Sequence, residues 1–259
     1  MPAGLVPSGA QSGTSPSKEN LMSTRIYYAG DSITAQKTIY AYPETGIGQA
    51  LPLYLKPECK VQNHAINGRS TKSFIDESRL AAISDDIQEG DFLFIQFGHN
   101  DEKTEDPSRY TDPFGEFQNN LGKFIQVART HKAYPVLLTP LCRRKFNTLG
   151  MLEDTHGAYP EAIRQAGMQY NVPVIDLCEL SRGLLTETGD ENSKKWFMNF
   201  SAGLYDNYPE GKEDNSHLRY EGAIVFAGLI AEELKKLGGI YADLVLEGPQ
   251  QPLSIAIEH

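Results

Sequence analysis

Five short apolar runs, separated by longer amphipathic stretches, constrain the fold of this chain more than any other feature. The runs are typical of buried strands and lie at residues 25–29, 60–66, 91–97, 135–139 and 173–177. Amphipathic stretches predict helices after Ser32 and at residues 71–87, 113–131, 159–170 and 220–237. Because strands and helices alternate, we predict right-handed crossovers and a single three-layer α/β/α, flavodoxin-like domain with a five-stranded parallel sheet.

The predicted domain occupies residues 22–247. Residues 1–21 are rich in Gly, Ser and Pro and lack periodicity, so we interpret them as a disordered leader, either native or left by cloning. Residues 248–259 are expected to form a peripheral tail. The N-terminus shows no secretory signal, and the three cysteines form no C-x-x-C pair. We therefore expect a cytoplasmic protein, or a secreted one if the leader has replaced a native signal.

The charge balance restricts the partners of the chain. It carries 24 Lys and Arg against 34 Asp and Glu, a formal net charge of −10. Nucleic acids and anionic membranes would meet a field of like sign, so we expect neither as a partner. No stretch approaches the ~20 apolar residues of a membrane span. The composition predicts no oligomeric state.

Short polar segments follow the first three predicted strands. They read GDSIT from Gly30, NGRS from Asn67 and GHND from Gly98. In a 2-1-3-4-5 strand order these segments are neighbours at the carboxyl edge of the sheet, where open α/β sheets bind ligands. We expect Ser32 to open a helix, and we expect the Gly68 N–H and the Asn100 amide to point toward the same place.

Asp214 and His217 lie three residues apart before the last predicted helix. A nucleophilic serine needs a base, and this spacing on one turn would let Asp214 orient the His217 ring toward Ser32. Each feature has an ordinary alternative: Ser32 as a helix cap, the GHND segment as a turn, and the Asp/His spacing as chance. Complementary roles at one sheet edge favour a catalytic triad over these alternatives.

These segments resemble, in order and spacing, the four sequence blocks of the SGNH (GDSL-like) hydrolase superfamily, over residues 25 to about 237. Longer strings are similar to the rhamnogalacturonan acetylesterase group, carbohydrate esterase family twelve. They are GRSTKSF from Gly68, QFGHND from Gln96, TPLCRRKF from Thr139 and EDNSHLRYEGA from Glu213. The first block departs from this group, which commonly reads GDST, by the Ile that follows Ser32.

The resemblance implies a serine esterase that removes acetyl groups from a carbohydrate, such as acetylated rhamnogalacturonan or pectin fragments, through an acyl-enzyme. It implies that Ser32 is the nucleophile, His217 the base and Asp214 its orienting partner. The implied oxyanion hole consists of the N–H groups of Ser32 and Gly68 and the Asn100 side chain. Further candidates for substrate contact are Asp31, Arg69, His99, Arg143, Arg144, His156 and Trp196. A galacturonate-rich substrate would require basic residues such as Arg69, Arg143 and Arg144 to make the cleft locally positive.

Two other functions stay open. One is a lipase or thioesterase of the same superfamily, which would need an apolar channel for a longer acyl chain. The other is a non-catalytic carbohydrate-binding module, which a missing triad residue would favour, and none is missing. The sequence contains no G-x-S-x-G, no G-x-x-x-x-G-K-[ST], and neither H-E-x-x-H nor C-x-x-C. We therefore expect a hydrolase without a cofactor or metal.

Overall fold

The computed structural model of the protein describes residues 24–247, so the predicted leader and tail lie outside the described residues. Within this range five parallel strands form one sheet in the order β2-β1-β3-β4-β5. This confirms the predicted fold class, and the observed order is the 2-1-3-4-5 order considered above for the sheet. The strands are β1 (Arg25–Gly30), β2 (Lys60–Asn63), β3 (Phe92–Gln96), β4 (Tyr134–Leu138) and β5 (Val174–Ile175).

The two edge strands are shorter than predicted. β2 ends at Asn63, whose side chain donates to the Thr34 carbonyl oxygen and accepts from the Ala65 N–H, although the N–H groups of His64 and Ile66 still donate to carbonyl oxygens of β1. β5 ends at Ile175, because the Asp176 side chain caps the next helix by accepting from the Glu179 N–H. At Asp176 this side-chain hydrogen bond to the backbone competes with the strand ladder.

Both faces of the sheet are covered, as expected for parallel strands. In β1, Ile26 and Tyr28 enter one apolar core, and Tyr27 and Ala29 enter the other. The first core is closed by α1 (Ile47–Ala50), α6 (Leu177–Thr188) and α8 (Tyr220–Leu237). The second is closed by α2 (Thr71–Asp76), α3 (Arg79–Asp86), α4 (Gln118–Thr130) and α5 (Tyr159–Tyr170).

The helices predicted over residues 159–170 and 220–237 are confirmed as α5 and α8. The helix predicted over 71–87 is instead two helices, because Ser78 adopts a left-handed conformation with φ of 59° between them. The helix predicted over 113–131 begins as a π-helical turn, Pro113–Phe117, and continues as α4. None of the helices within residues 24–247 is long and apolar enough to cross a bilayer.

The predicted helix after Ser32 is wrong. A turn follows this residue, and the next regular elements are a 3₁₀ helix, Ile39–Ala41, and the four-residue α1. The segment contains the β-branched Thr34, Thr38 and Ile39 and then Pro43, residues with low helix propensity. A second 3₁₀ helix, Leu51–Tyr54, follows α1 directly.

Sequence reasoning missed α6 and a β-hairpin beside the main sheet. The hairpin consists of β6 (Phe197–Phe200) and β7 (Lys212–Leu218), which pair antiparallel. It is preceded by α7 (Asp190–Ser193) and a 3₁₀ turn, Lys194–Trp196, and α9 (Gly239–Ala242) follows α8. Asp214 and His217 therefore lie on a strand rather than on a turn before the last helix.

Candidate active site

Ser32, His217 and Asp214 form one chain of hydrogen bonds at the carboxyl edge of the sheet. The Ser32 Oγ lies 2.9 Å from the Nε2 of His217. The Nδ1 of the same ring lies 2.8 Å from an Asp214 carboxylate oxygen, Oδ2. The other carboxylate oxygen, Oδ1, accepts from the backbone N–H groups of Ser216 and His217, at 2.9 and 3.0 Å. The structure thus brings together the three residues predicted to form a triad.

The ionisation of Asp214 sets the tautomer of the His217 ring. Burial alone would raise the pKa of Asp214, but hydrogen bonds from the His217 ring and from two backbone N–H groups outweigh it and hold this pKa well below its usual value. An ionised carboxylate only accepts, so Nδ1 carries a proton. Nε2 is then free to accept the Ser32 hydroxyl proton.

An irregularity in β7 projects the His217 ring from the hairpin. Phe197 pairs with Leu218 and the next residue, Met198, pairs with Asp214, so the intervening residues of β7 have no partner on β6. Such a bulge re-aims side chains that a regular strand would place on alternate faces. It explains how Asp214 and His217, an odd number of residues apart on a strand, come to share one side.

Arg144 and Asn199 hold this bulge in place through Asn215. The Arg144 guanidinium donates to the Asn215 side chain at 2.5 Å, and its backbone N–H donates to the Asn215 carbonyl oxygen at 2.9 Å. Asn199 donates to the same side-chain oxygen at 2.8 Å and to the Asp214 carbonyl oxygen at 3.0 Å. Arg144 is only 4% exposed and also contacts Asp190. It therefore stabilises the bulge without lining the cleft.

The turn after β1 presents Ser32 without a helix. The Asp31 carbonyl oxygen accepts from the N–H groups of Thr34 and Ala35, and its carboxylate accepts from the Ile33 N–H at 2.9 Å. Gly30 is required here, since a Cβ would lie 2.3 Å from the Thr34 hydroxyl oxygen. The Asp31 carboxyl group is buried, and its burial raises its pKa to about 6. It therefore braces the turn and does not line the cleft.

Three N–H groups belong to residues that line the same cleft as the Ser32 hydroxyl. Within residues 24–247 the backbone N–H groups of Ser32 and Gly68 have no hydrogen-bond acceptor. Gly68 has φ of 77°, a left-handed conformation that favours glycine. Asn100 donates one amide N–H to the Arg69 carbonyl oxygen at 3.1 Å, and Arg109 donates to its amide oxygen at 3.4 Å. These contacts fix the amide orientation and leave its second N–H for an incoming oxyanion.

Asp101 joins the loop after β3 to the start of α2. One of its carboxylate oxygens accepts from the Thr71 N–H at 3.0 Å and from the hydroxyls of Thr71 and Thr111 at 2.5 and 2.9 Å. The residue has no exposed surface, and burial raises the pKa of this carboxyl group to about 7 despite these hydrogen bonds. Asp101 therefore holds the loop that follows β3 against Thr71 and Thr111.

We expect Asp101→Asn to remove a pH dependence of stability. The pKa of Asp101 is higher in the folded state than its unfolded value of about 3.9, so the folded chain binds this proton more tightly. The free energy of unfolding of the wild type should therefore fall, relative to the variant, by a few kcal/mol as the pH rises from about 4 to about 7. Urea denaturation of both proteins across this range measures the difference. A difference in the free energy of unfolding that stays constant across this pH range would contradict a raised pKa for Asp101.

The cleft at this edge has a volume of about 400 Å³. Of the residues predicted for the site, it is lined by Ser32, Gly68, His99, Asn100, Arg143, Asp214 and His217. The remaining lining residues are Ile33, Glu44, Asn67, Lys103, Arg109, Lys212 and Ser216. The His99 ring packs edge-to-face on His156, and burial lowers the pKa of His99 well below its usual value, so the ring is neutral.

Five residues predicted to contact substrate do not line this cleft, which corrects that expectation. Besides Asp31 and Arg144, described above, they are Arg69, His156 and Trp196. Arg69 turns to Glu77, with which it forms an ion pair at 3.0 Å.

His156 is buried. Its ring nitrogens lie 2.9 Å from the Glu102 carboxylate and 2.8 Å from the Leu141 carbonyl oxygen. Trp196 is 8% exposed and packs against Phe226, 5.8 Å between ring centroids, so its ring is unavailable for sugar stacking. Both side chains therefore pack inside the protein and do not face the cleft.

Sequence reasoning missed Glu44, Lys103, Arg109 and Lys212. Lys212 could have been found, because it lies two residues before Asp214 and side chains two apart on a strand share a face. Its ammonium group lies 3.6 Å from the Asp214 carboxylate and 3.8 Å from that of Glu44. The other three lie in loops where no motif marks them.

Comparison with known proteins agrees with this geometry. A model of the GDSL-like lipase/acylhydrolase family matches residues 28–205, more than half of the chain. The rhamnogalacturonan acetylesterase RhgT of Bacillus subtilis (strain 168) is 40% identical over 214 residues, which are 83% of this chain and 90% of that protein. A second Bacillus subtilis (strain 168) protein, named "probable rhamnogalacturonan acetylesterase YesY", is 38% identical over 217 residues, 84% of this chain and 95% of that protein.

A solved structure is also similar. The crystal structure of the protein YxiM from Bacillus subtilis superposes with a TM-score of 0.71 at 26% sequence identity. The superposition covers 83% of this chain and 57% of that one, so this chain spans little more than half of its length. The family match, the identity over most of the chain and the shared fold lead to one conclusion: the chain belongs to the GDSL-like lipase/acylhydrolase family.

Proposed function

We propose that the protein is a serine esterase that removes acetyl groups from a carbohydrate, namely acetylated rhamnogalacturonan or a related pectin fragment. The observation that carries this proposal is the chain of hydrogen bonds from Asp214 through His217 to Ser32, beside three free N–H donors. The names of the two Bacillus subtilis relatives support the choice of substrate.

In the first half of the proposed reaction, Ser32 attacks the acetyl carbonyl carbon. His217 Nε2 takes the hydroxyl proton as the Oγ–C bond forms, and Asp214 stabilises the resulting imidazolium. The carbonyl oxygen becomes an oxyanion, which accepts from the Ser32 and Gly68 N–H groups and the Asn100 amide. When the tetrahedral intermediate collapses, the C–O bond to the sugar breaks and His217 returns the proton to the sugar oxygen.

The second half repeats these steps with water. His217 takes a proton from a water molecule, whose oxygen attacks the acetyl carbon of the Ser32 ester. The same donors stabilise the second oxyanion. Collapse breaks the bond to Ser32 Oγ, the imidazolium returns the proton to it, and the product leaves as acetic acid, which ionises to acetate by losing its remaining proton to solvent. In each half of the reaction His217 returns the proton that it takes. The proposed steps therefore use residues of this chain and water.

The composition of the cleft favours a short acyl group. Among the described lining residues, Ile33 is the sole apolar side chain, and most of the others carry charge or an amide. A lipase or thioesterase would bury a longer acyl chain against apolar walls. The polar lining therefore favours a sugar acetyl ester over the lipase alternative, and the complete triad favours an enzyme over a binding module.

Comparing acyl chain lengths tests the proposal. We expect acetate release from an acetylated rhamnogalacturonan oligosaccharide, and we expect kcat/KM for 4-nitrophenyl acetate to exceed that for the octanoate by at least about a hundredfold. A coupled acetate assay and nitrophenol absorbance measure the two reactions. Equal turnover of the octanoate would favour a lipase, and sugar binding without acetate release would favour a binding module.

A further inference from the structure

Four cations line the cleft of a chain whose net charge is −10. Three of them face a carboxylate of this chain. Arg143 pairs with Glu102, Arg109 pairs with Asp106 at 2.6 Å, and Lys212 lies between the carboxylates of Glu44 and Asp214. The fourth cation is Lys103.

The Lys103 ammonium group forms no ion pair or hydrogen bond within residues 24–247. Three carboxylates lie close to it in sequence, those of Glu102, Glu105 and Asp106, and none of them pairs with it. The residue is half-buried in the wall of the cleft. A partly desolvated cation without a partner is a favourable place for an anion to bind.

Arg109 presents a second donor to the cleft. Its Nε donates to Asp106 and its Nη1 to Asn100, while its Nη2 has no acceptor among the described residues. Nη1 would lie 3.9 Å from a Cβ placed on Gly68, so the guanidinium group borders the proposed oxyanion hole. An anion held here would be close to the ester under attack.

We propose that Lys103, together with Nη2 of Arg109, binds a carboxylate of the sugar chain, so that the enzyme selects acetyl esters on uronate-containing oligosaccharides. This inference rests on the proposed function. A uronate bears its carboxylate on the same ring as its hydroxyls, so an acetyl group on that sugar or the next one lies within one or two rings of the charge. Lysine and arginine supply strong charge-assisted hydrogen bonds to such an oxygen pair.

The acidic character of the whole chain is compatible with this site. A net charge of −10 disfavours polyanions at long range, but salt screens exposed charges beyond about 8–10 Å. Close contacts inside the cleft are screened less. Lys103 and Arg109 thus act at short range, after the sugar has entered the cleft, and they set its orientation there.

Lys103→Gln is the test variant, because Arg109 also contacts Asn100 and its replacement would disturb the oxyanion hole. The substrates are an acetylated galacturonate-containing oligosaccharide and the same compound with its carboxylates methyl-esterified. Acetate release gives the ratio of kcat/KM for the charged over the neutral form. We expect Lys103→Gln to lower this ratio about tenfold, mainly through KM, which corresponds to one charge-assisted hydrogen bond.

Two control variants complete the experiment. Lys103→Arg should retain most of the wild-type ratio, because it keeps the charge. Lys60→Gln makes the same change at an exposed lysine at the start of β2, away from the carboxyl edge, and should leave the ratio unchanged. A ratio in Lys103→Gln equal to that of the wild type would overturn the carboxylate site while leaving the esterase intact. A wild type that releases acetate from neither substrate would instead overturn the proposed function itself.

Discussion

Replacing Ser32 with Ala should lower kcat for acetate release by on the order of 10⁴–10⁶-fold. The variant lacks the oxygen that attacks the carbonyl carbon and forms the acyl-enzyme. The only side-chain hydrogen bond of Ser32 within residues 24–247 is that to His217, so the turn after β1 should keep its conformation. The effect should therefore fall on chemistry and leave folding almost unchanged.

Initial rates on 4-nitrophenyl acetate and unfolding curves measure these two consequences. A serine-reactive phosphonate followed by peptide mass spectrometry should label Ser32 in the wild type and leave the variant unlabelled. Ser201→Ala is a matched control, since Ser201 is exposed and forms no side-chain hydrogen bond with the described residues. If Ser32→Ala kept more than about a hundredth of the wild-type rate, Ser32 would not be the nucleophile.

Asp214→Asn should lower kcat by on the order of 10⁴-fold while preserving the shape of the site. The side-chain N–H of an amide at this position can donate a hydrogen bond to Nδ1 of His217. The ring would then carry its own proton on Nε2, which could no longer accept from Ser32. The amide oxygen can still accept from the Ser216 and His217 N–H groups, so the bulge should persist.

The kcat of this variant, measured across pH, separates two roles of the carboxylate. One is to set the tautomer of His217, and the other is to hold the bulge that carries this residue. A loss that is uniform in kcat with little change in KM indicates that the tautomer of His217 is wrong, because substrate contacts are retained. Asp206→Asn is the control, since Asp206 is exposed and forms no ion pair with the described residues. A tenth or more of the wild-type rate in Asp214→Asn would contradict the orienting role of this carboxylate.

Sequence periodicity predicted the parts of the fold that have local causes. The apolar runs located all five strands of the sheet, and amphipathic periodicity located α5 and α8. The β6–β7 hairpin was missed, because its pairing joins segments more than ten residues apart and β7 is interrupted by a bulge. The position of His217 on this hairpin was thus outside the reach of local patterns.

Five of the seven candidate substrate contacts lie outside the cleft, whereas the three triad candidates lie together in it. Trp196 and His156 are of types that bind sugars, yet both are buried. Arg144 was chosen for its charge, but its partners Asp190 and Asn215 lie 46 and 71 residues away in the sequence. Conversely, Lys103 and Arg109 carry no motif and are recognised only by the cleft they line.

The sequence by itself determined the layered fold, the identity of the residues brought to one edge of the sheet, and the family they indicate. These depend on the alternation of apolar runs with amphipathic stretches and on short blocks whose spacing is a property of the chain. The tertiary structure alone decided which basic side chains face the cleft and which brace it, and that the cleft is polar. A long side chain is directed by whichever partner lies within its reach, and the folded chain supplies those partners from distant positions.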